Sequence, residues 1–306
     1  MKDAIFNCAD EPDALPRYPH EGAGRDRVDT YNLIAQRVRL VREVLIERNI
    51  RVRSGSSLSQ FLRQAETLER EWRGGTAPGI EVLRDAAHVN RLALAVLALR
   101  DDPAVREPLR RMASNVMMPD NRRQSQGKDA LWEIVLLAHL RGVGVEARFE
   151  DPPDIVATLN GEDYPVACKK VWTETGVKEH IRKAGKQLRR FDNGGVIALN
   201  LDDLVPPGRL LRHDNRGSAG RVLDQFNLGF IERHRNVLQQ AIMSGRCDGI
   251  WVSVCTATDL VTERTRFNLF TQTAIWHLTN ASETSKVRLL RFAQAAGGGE
   301  LQYGWG

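Results

Sequence analysis

Apolar residues recur at alternating spacings of three and four along the first part of the chain: Tyr31, Ile34, Val38, Val41 and Leu45, then Leu58, Phe61, Ala65, Leu68 and Trp72. That period puts each set on one helical stripe and predicts two amphipathic helices that pack together. The break Gly74-Gly75-Thr76-Ala77-Pro78-Gly79 ends the second, and a more apolar helix follows over about 80–100 until Asp101-Asp102-Pro103 stops it. A short helix over 104–113 and a polar segment from Pro119 to Lys128 complete this half. The pattern then changes. A helix over about 128–141 precedes a strand at 145–149, two arms at 154–160 and 163–170, a basic helix at 177–191 and a strand at 195–201. Beyond the irregular basic loop that starts at Pro206-Pro207-Gly208, a long helix is predicted over 219–243, with strands at Gly249–Val254 and Phe267–His277.

The expected organisation is an irregular arm at 1–26, a helical domain at 27–118, a linker at 119–128, an α/β domain at 129–290 and a Gly-rich tail at 291–306 with little to pack. No internal repeat is visible at solenoid periods.

The two arms form the most informative stretch. With a hairpin turn centred on Gly161 and Glu162, Asp154 falls opposite Lys169. Side chains alternate along a strand, so Ala167 and Lys169 share one face while Cys168 and Lys170 share the other. A carboxylate and an ammonium therefore converge. Glu133 is a third candidate on independent grounds, because Leu136, Leu137 and Leu140 lie on its own helical face and a carboxylate there requires a metal or a cation to offset its burial. The structural alternative for Glu133 is a salt bridge to Lys169 or Arg141. For Asp154 it is an acid at a strand start that binds nothing, and for Lys169 a surface lysine.

Pro153-Asp154 followed by Ala167-Cys168-Lys169, within the order helix, three strands, helix, strand over residues 127–202, resembles the PD-(D/E)XK nuclease superfamily, the restriction-endonuclease-like phosphodiesterases. The resemblance implies an α/β fold in which a helical N-terminal domain precedes a mixed-sheet core flanked by helices. It also implies Mg²⁺-dependent hydrolysis of DNA phosphodiesters, with Mn²⁺ as a substitute. Asp154, Glu133 and the backbone carbonyl of Cys168 would be metal ligands, Lys169 would stabilise the transition state, and Gln187 matches a polar position beside the site. Ala167 departs from the pattern, since the family carries a second acid there and a methyl group cannot bind a cation. Three readings of Ala167 stand: a naturally weakened member, a replacement acid such as Glu133, or a laboratory variant with Glu cut back to Ala. The third best explains why one position alone is spoiled.

Charge sharpens the partner expectation. The 306 residues carry 44 Lys and Arg against 39 Asp and Glu, a formal net charge of +5, which favours a polyanionic partner modestly. Distribution matters more. The helix beside the motif concentrates Lys178, Arg182, Lys183, Lys186 and Arg190, the expected DNA contacts, whereas the arginines of the first helix read as a solvated face. The four cysteines, Cys8, Cys168, Cys247 and Cys255, lack metal-ligand spacing and read as small buried thiols. The apolar run Leu92–Leu99 is too short for a bilayer and the start lacks the core of a secretion signal, so a cytoplasmic protein is expected. Two rivals remain: a non-catalytic nucleic-acid-binding or interaction module on the same fold, and a helical interaction protein whose first domain recruits a partner or a second copy.

Overall fold

A computed structural model of the chain describes residues 31–75, 79–191, 194–262, 267–297 and 302–304. The arm at 1–26, with Cys8, lies outside the described residues. The two amphipathic stripes form α1 (Tyr31–Glu47) and α2 (Ser57–Arg73), whose N-terminus is capped by the Ser56 side chain accepting from the Ser59 amide. α3 (Ile80–Ala98) and α4 (Arg106–Ser114) follow, joined by a short 3₁₀ turn at Pro103–Val105.

α5 (Gln126–Gly142) is apolar from Ala130 to Leu140 apart from Glu133 and His139, and 12 of its 17 residues are buried. It leads into β1 (Glu146–Phe149), β2 (Ile155–Leu159) and β3 (Glu162–Lys170), then α6 (Val177–Leu188) and β4 (Val196–Asn200). The remainder comprises β5 (Leu210–His213), α7 (Arg216–Arg233), α8 (Arg235–Met243), β6 (Gly249–Leu260), β7 (Phe267–Leu278), α9 (Glu283–Ala295) and β8 (Gln302–Gly304).

The described strands form one mixed sheet in the order β1-β2-β3-β4-β6-β7-β8, with β5 beside the far half of β6. β1, β2 and β3 run as an antiparallel meander, whereas β3, β4 and β6 are mutually parallel. Helices cover both faces, which makes this an α/β fold. One apolar cluster joins α1, α3, α4, α5 and α9 to residues such as Val166, Cys168, Ala198 and Trp251 on one face of the sheet. A second joins α6, α7 and α8 to Ala167, Ile197, Val252 and Ala274 on the other. Alternation along β3 and β4 divides the two sets, as the period of a strand requires.

Three expectations change. The long helix over 219–243 is two helices that meet at His234, where φ of −107° takes the backbone out of the helical region although no Pro or Gly marks the break. The C-terminal segment packs more than its glycines suggest, since α9 fills 283–295 and β8 pairs in parallel with β7. Segment 119–128 is pinned: Ser125 caps α5 and donates its hydroxyl to the Val116 carbonyl, while Lys128 Nζ donates to the carbonyls of Pro119 and Asn121. None of the described helices is long and apolar enough to cross a membrane.

Candidate active site

The hairpin closes through Asn160 and Gly161, at φ of 53° and 82°, with Leu159 paired to Glu162. Two consecutive positive φ values mark the two-residue turn that matches strand twist, and Asn-Gly is its preferred sequence. The expected turn centre is thus one residue too late and the register two residues out. Ile155 pairs with Val166, so continuing the ladder sets Asp154 opposite Ala167 instead of Lys169. A shift of two preserves the face of every side chain, and Lys169 becomes a diagonal neighbour still within reach. Its Nζ lies 3.1 Å from Asp154 Oδ2.

Asp154 is held from several sides. Its Oδ2 also accepts from the Cys168 amide at 2.7 Å, and its Oδ1 faces Gln187 Nε2 of α6 at 3.4 Å. The backbone there is unusual, with φ of 152° at Asp154, a conformation that non-glycine residues rarely adopt and that tends to occur at functional sites. Burial pushes the Asp154 carboxyl up to about 7; Lys169 and the Cys168 amide pull it down, and the charge of Glu133 adds to the rise. That electrostatic effect puts Glu133 in the neighbourhood of Asp154. The partner of Glu133 is neither Lys169 nor Arg141: Arg111 of α4 clasps both of its carboxylate oxygens in a fork.

Sequence reasoning missed three groups. Arg111 lies 22 positions from Glu133, and only the packing of α4 on α5 brings them together. Asp129 stands one turn before Glu133 on α5, and burial pushes it up to about 6, with Lys170 pulling it down and Glu133 pushing it further up. The spacing of four between two acids on one helix was the available signal. His180 of α6 also belongs here: burial and then the charge of Lys169 lower its pKa.

Ala167 is fully buried, in the cluster that includes Val177, Ile181 and Leu188 of α6. The other implied metal ligands are already engaged. Asp154 is paired with Lys169, Glu133 with Arg111, and the Cys168 carbonyl accepts from Lys169 Nζ at 2.6 Å. Among the described residues no group of three or more His, Cys, Asp or Glu side chains is placed to hold a metal ion. The side chains as they stand therefore do not fit the implied Mg²⁺: two acids are neutralised by cations, and the position facing Asp154 carries a methyl group.

The five expected DNA contacts, Lys178, Arg182, Lys183, Lys186 and Arg190, are all exposed on α6 or just beyond its end, with Arg182 and Lys183 sharing Glu179. Gln187 of the same helix turns inward to Asp154. Cys168, Cys247 and Cys255 are buried thiols, and burial raises Cys168 and Cys247 well above the ordinary thiol range. No protein-family model, curated protein or solved structure matches the chain.

Proposed function

We propose that this protein binds nucleic acid on the ground plan of a Mg²⁺-dependent deoxyribonuclease, and that Ala167 leaves it deficient in phosphodiester hydrolysis. The observation that carries the reading is the convergence of Asp154, Lys169 and Gln187 from three elements, beside Glu133, with five exposed cations around the helix that supplies Gln187. Phosphodiester cleavage needs an electrophile to stabilise developing charge, and a lysine held beside a carboxylate supplies only part of that need. The exposed face of α6 supplies backbone affinity without sequence readout.

The non-catalytic reading of the present chain is favoured by the two closed ion pairs, which leave the acids occupied. Nuclease ancestry is tested at position 167. Ala167→Glu introduces a carboxylate directly across from Asp154, and we expect it to convert a chain that only retains DNA into one that nicks plasmid with Mg²⁺ or Mn²⁺. Because the site is closed, the variant should lose about 1–3 kcal/mol of stability in chelator and recover part of it when the ion is added. A folded Ala167→Glu protein that neither cleaves DNA nor gains stability from either ion removes the hydrolytic half of the proposal. Absence of salt-sensitive DNA binding by the unaltered chain removes the other half.

A further inference from the structure

Lys170, the residue after Lys169, leaves β3 on the opposite face and enters a different environment. Its Nζ lies 2.7 Å from Asp203 Oδ2 and donates to Asn200 Oδ1 at 2.6 Å. Lys128 of α5 reaches Asp203 Oδ1 at 3.1 Å, and Arg122 reaches the same oxygen at 3.1 Å. Three cations therefore share one carboxylate. Both lysine side chains are only 6 % exposed and Asp203 is 3 % exposed, so the surplus charge is held away from water. Trp172 offers its ring to both ammonium groups at 5.4 and 5.5 Å, a partial compensation for that loss of solvent.

Lys128, Lys170, Arg122, Asn200 and Asp203 line a cavity of about 80 Å³ between the N-terminal helices and the carboxyl ends of β3, β4 and the middle of β6. Its basic lining is Arg84, Arg91, Arg122, Lys128, Lys170 and Arg209, against the acids Asp120, Asp202 and Asp203. The lining thus carries an excess of three positive charges, which the neighbouring acids Asp85, paired with Arg84 at 3.2 Å, and Asp129, on which Lys170 exerts the strongest charge effect, lower to one. His88 lines the same space without adding charge, because burial and the neighbouring Arg91 push it down to about 3. Burial lowers the pKa of Lys128 against the pull of Asp203, and Lys170 and Arg122 add to the lowering. Arg122 Nε is buried with no hydrogen-bond partner. Leu131, Trp132 and Val135 of α5 supply an apolar wall opposite.

We propose that this cavity binds a phosphate dianion, either free or as the head of a small phosphate monoester. A tetrahedral oxyanion offsets the surplus of the lining, accepts from the guanidinium and ammonium donors, and fits a space large enough for several waters. The location supports it independently, since open α/β sheets hold ligands in the crevice outside the carboxyl ends of their parallel strands. This site is separate from the Asp154 centre and does not depend on nuclease activity.

The test is calorimetric titration of the full chain at constant ionic strength with inorganic phosphate, adenosine 5′-monophosphate and uncharged adenosine. Saturable binding of phosphate or the monoester, with none of adenosine, is the expected result. Equal affinities assign the free ion and tighter monophosphate binding assigns an ester. Arg209→Gln, at an exposed lining position, and Arg122→Gln should each weaken binding about tenfold, the loss of one charge-assisted hydrogen bond. Lys169→Met should leave it unchanged. The proposal is overturned if neither anion binds at millimolar concentration, if chloride competes equally, or if Lys169→Met abolishes binding while folded Arg209→Gln and Arg122→Gln proteins retain it.

Discussion

Lys169 and Lys170 are consecutive, equal in chemistry and similarly enclosed, yet they serve regions of opposite character. Lys169 faces the carboxylate of Asp154, near which Glu133 is clasped by Arg111, so acids and bases there are matched one to one. Around Lys170 gather Lys128 and Arg122 on the carboxylate of Asp203, with Asp129 acting from nearby, so base remains in excess. The two regions answer burial differently. A buried carboxylate can take up a proton, and burial raises both Asp154 and Asp129. A surplus that includes a guanidinium cannot shed a proton at neutral pH and needs a counter-ion. Lys169 therefore sits beside an acid whose protonation burial favours, and Lys170 within a lining that carries more base than acid.

The largest effect expected from this contrast follows removal of the shared carboxylate. Asp203→Ala leaves Lys128, Lys170 and Arg122 without their common partner in a closed space and should cost about 3–5 kcal/mol in urea unfolding. Phosphate should restore part of that loss. Lys169→Met should cost clearly less, because Asp154 then takes a proton instead of remaining as an unpaired charge. Equal losses for the two variants would erase the distinction between the regions.

A smaller effect belongs to pH. The Asp129 carboxyl is raised to about 6 in the folded chain from an ordinary value near 4, so between those values the native state holds a proton that the unfolded state has released. Its favourable contribution is complete below about pH 4 and is lost as pH rises through about 6. Asp154 extends the same trend towards neutrality. Relative to Asp129→Asn, the unaltered chain should lose on the order of 2 kcal/mol between pH 4 and 7. Parallel stability profiles for the two proteins would show that Asp129 carries no surplus proton.

The smallest effect on stability is expected on the outer face of α6, whose charges are already in water. Replacing Lys178, Lys183, Lys186 and Arg190 with Gln should change folding free energy by less than about 0.5 kcal/mol while weakening all DNA sequences alike and flattening the dependence of affinity on salt. An unchanged salt slope would transfer the nucleic-acid surface elsewhere.

The elements were legible in the sequence wherever the information was local. The stripe from Tyr31 to Leu45 is α1, and the order from α5 to β4 follows the predicted pattern within a few residues. The hairpin register is also written locally, in Asn160-Gly161, whereas symmetry about Gly161 and Glu162 puts it two residues out. Convergence of Asp154 with Lys169 survived because an error of two residues keeps both on one face. Long-range partners had no such protection. Arg111 is tied to Glu133 and Asp203 to Lys128 and Lys170 across separations of 22, 75 and 33 positions, set by helix packing and by the parallel return of β4 beside β3. No spacing rule encodes those contacts.

The apolar cluster that runs from α1 and α3 through α5 to Trp251 and Phe292 has a consequence for how the chain comes apart. Val89, Leu92 and Val96 of α3 are wholly enclosed in a cluster to which the sheet also contributes, and Arg91 of that helix is tied at 3.0 Å to Asp202 beyond β4. Loss of the helical layer would thus expose the sheet, and loss of the sheet would strip the helices of shared cover. Melting is thereby coupled across both halves, so that a disturbance introduced on one side of the sheet is registered as a change in the cooperativity of the whole.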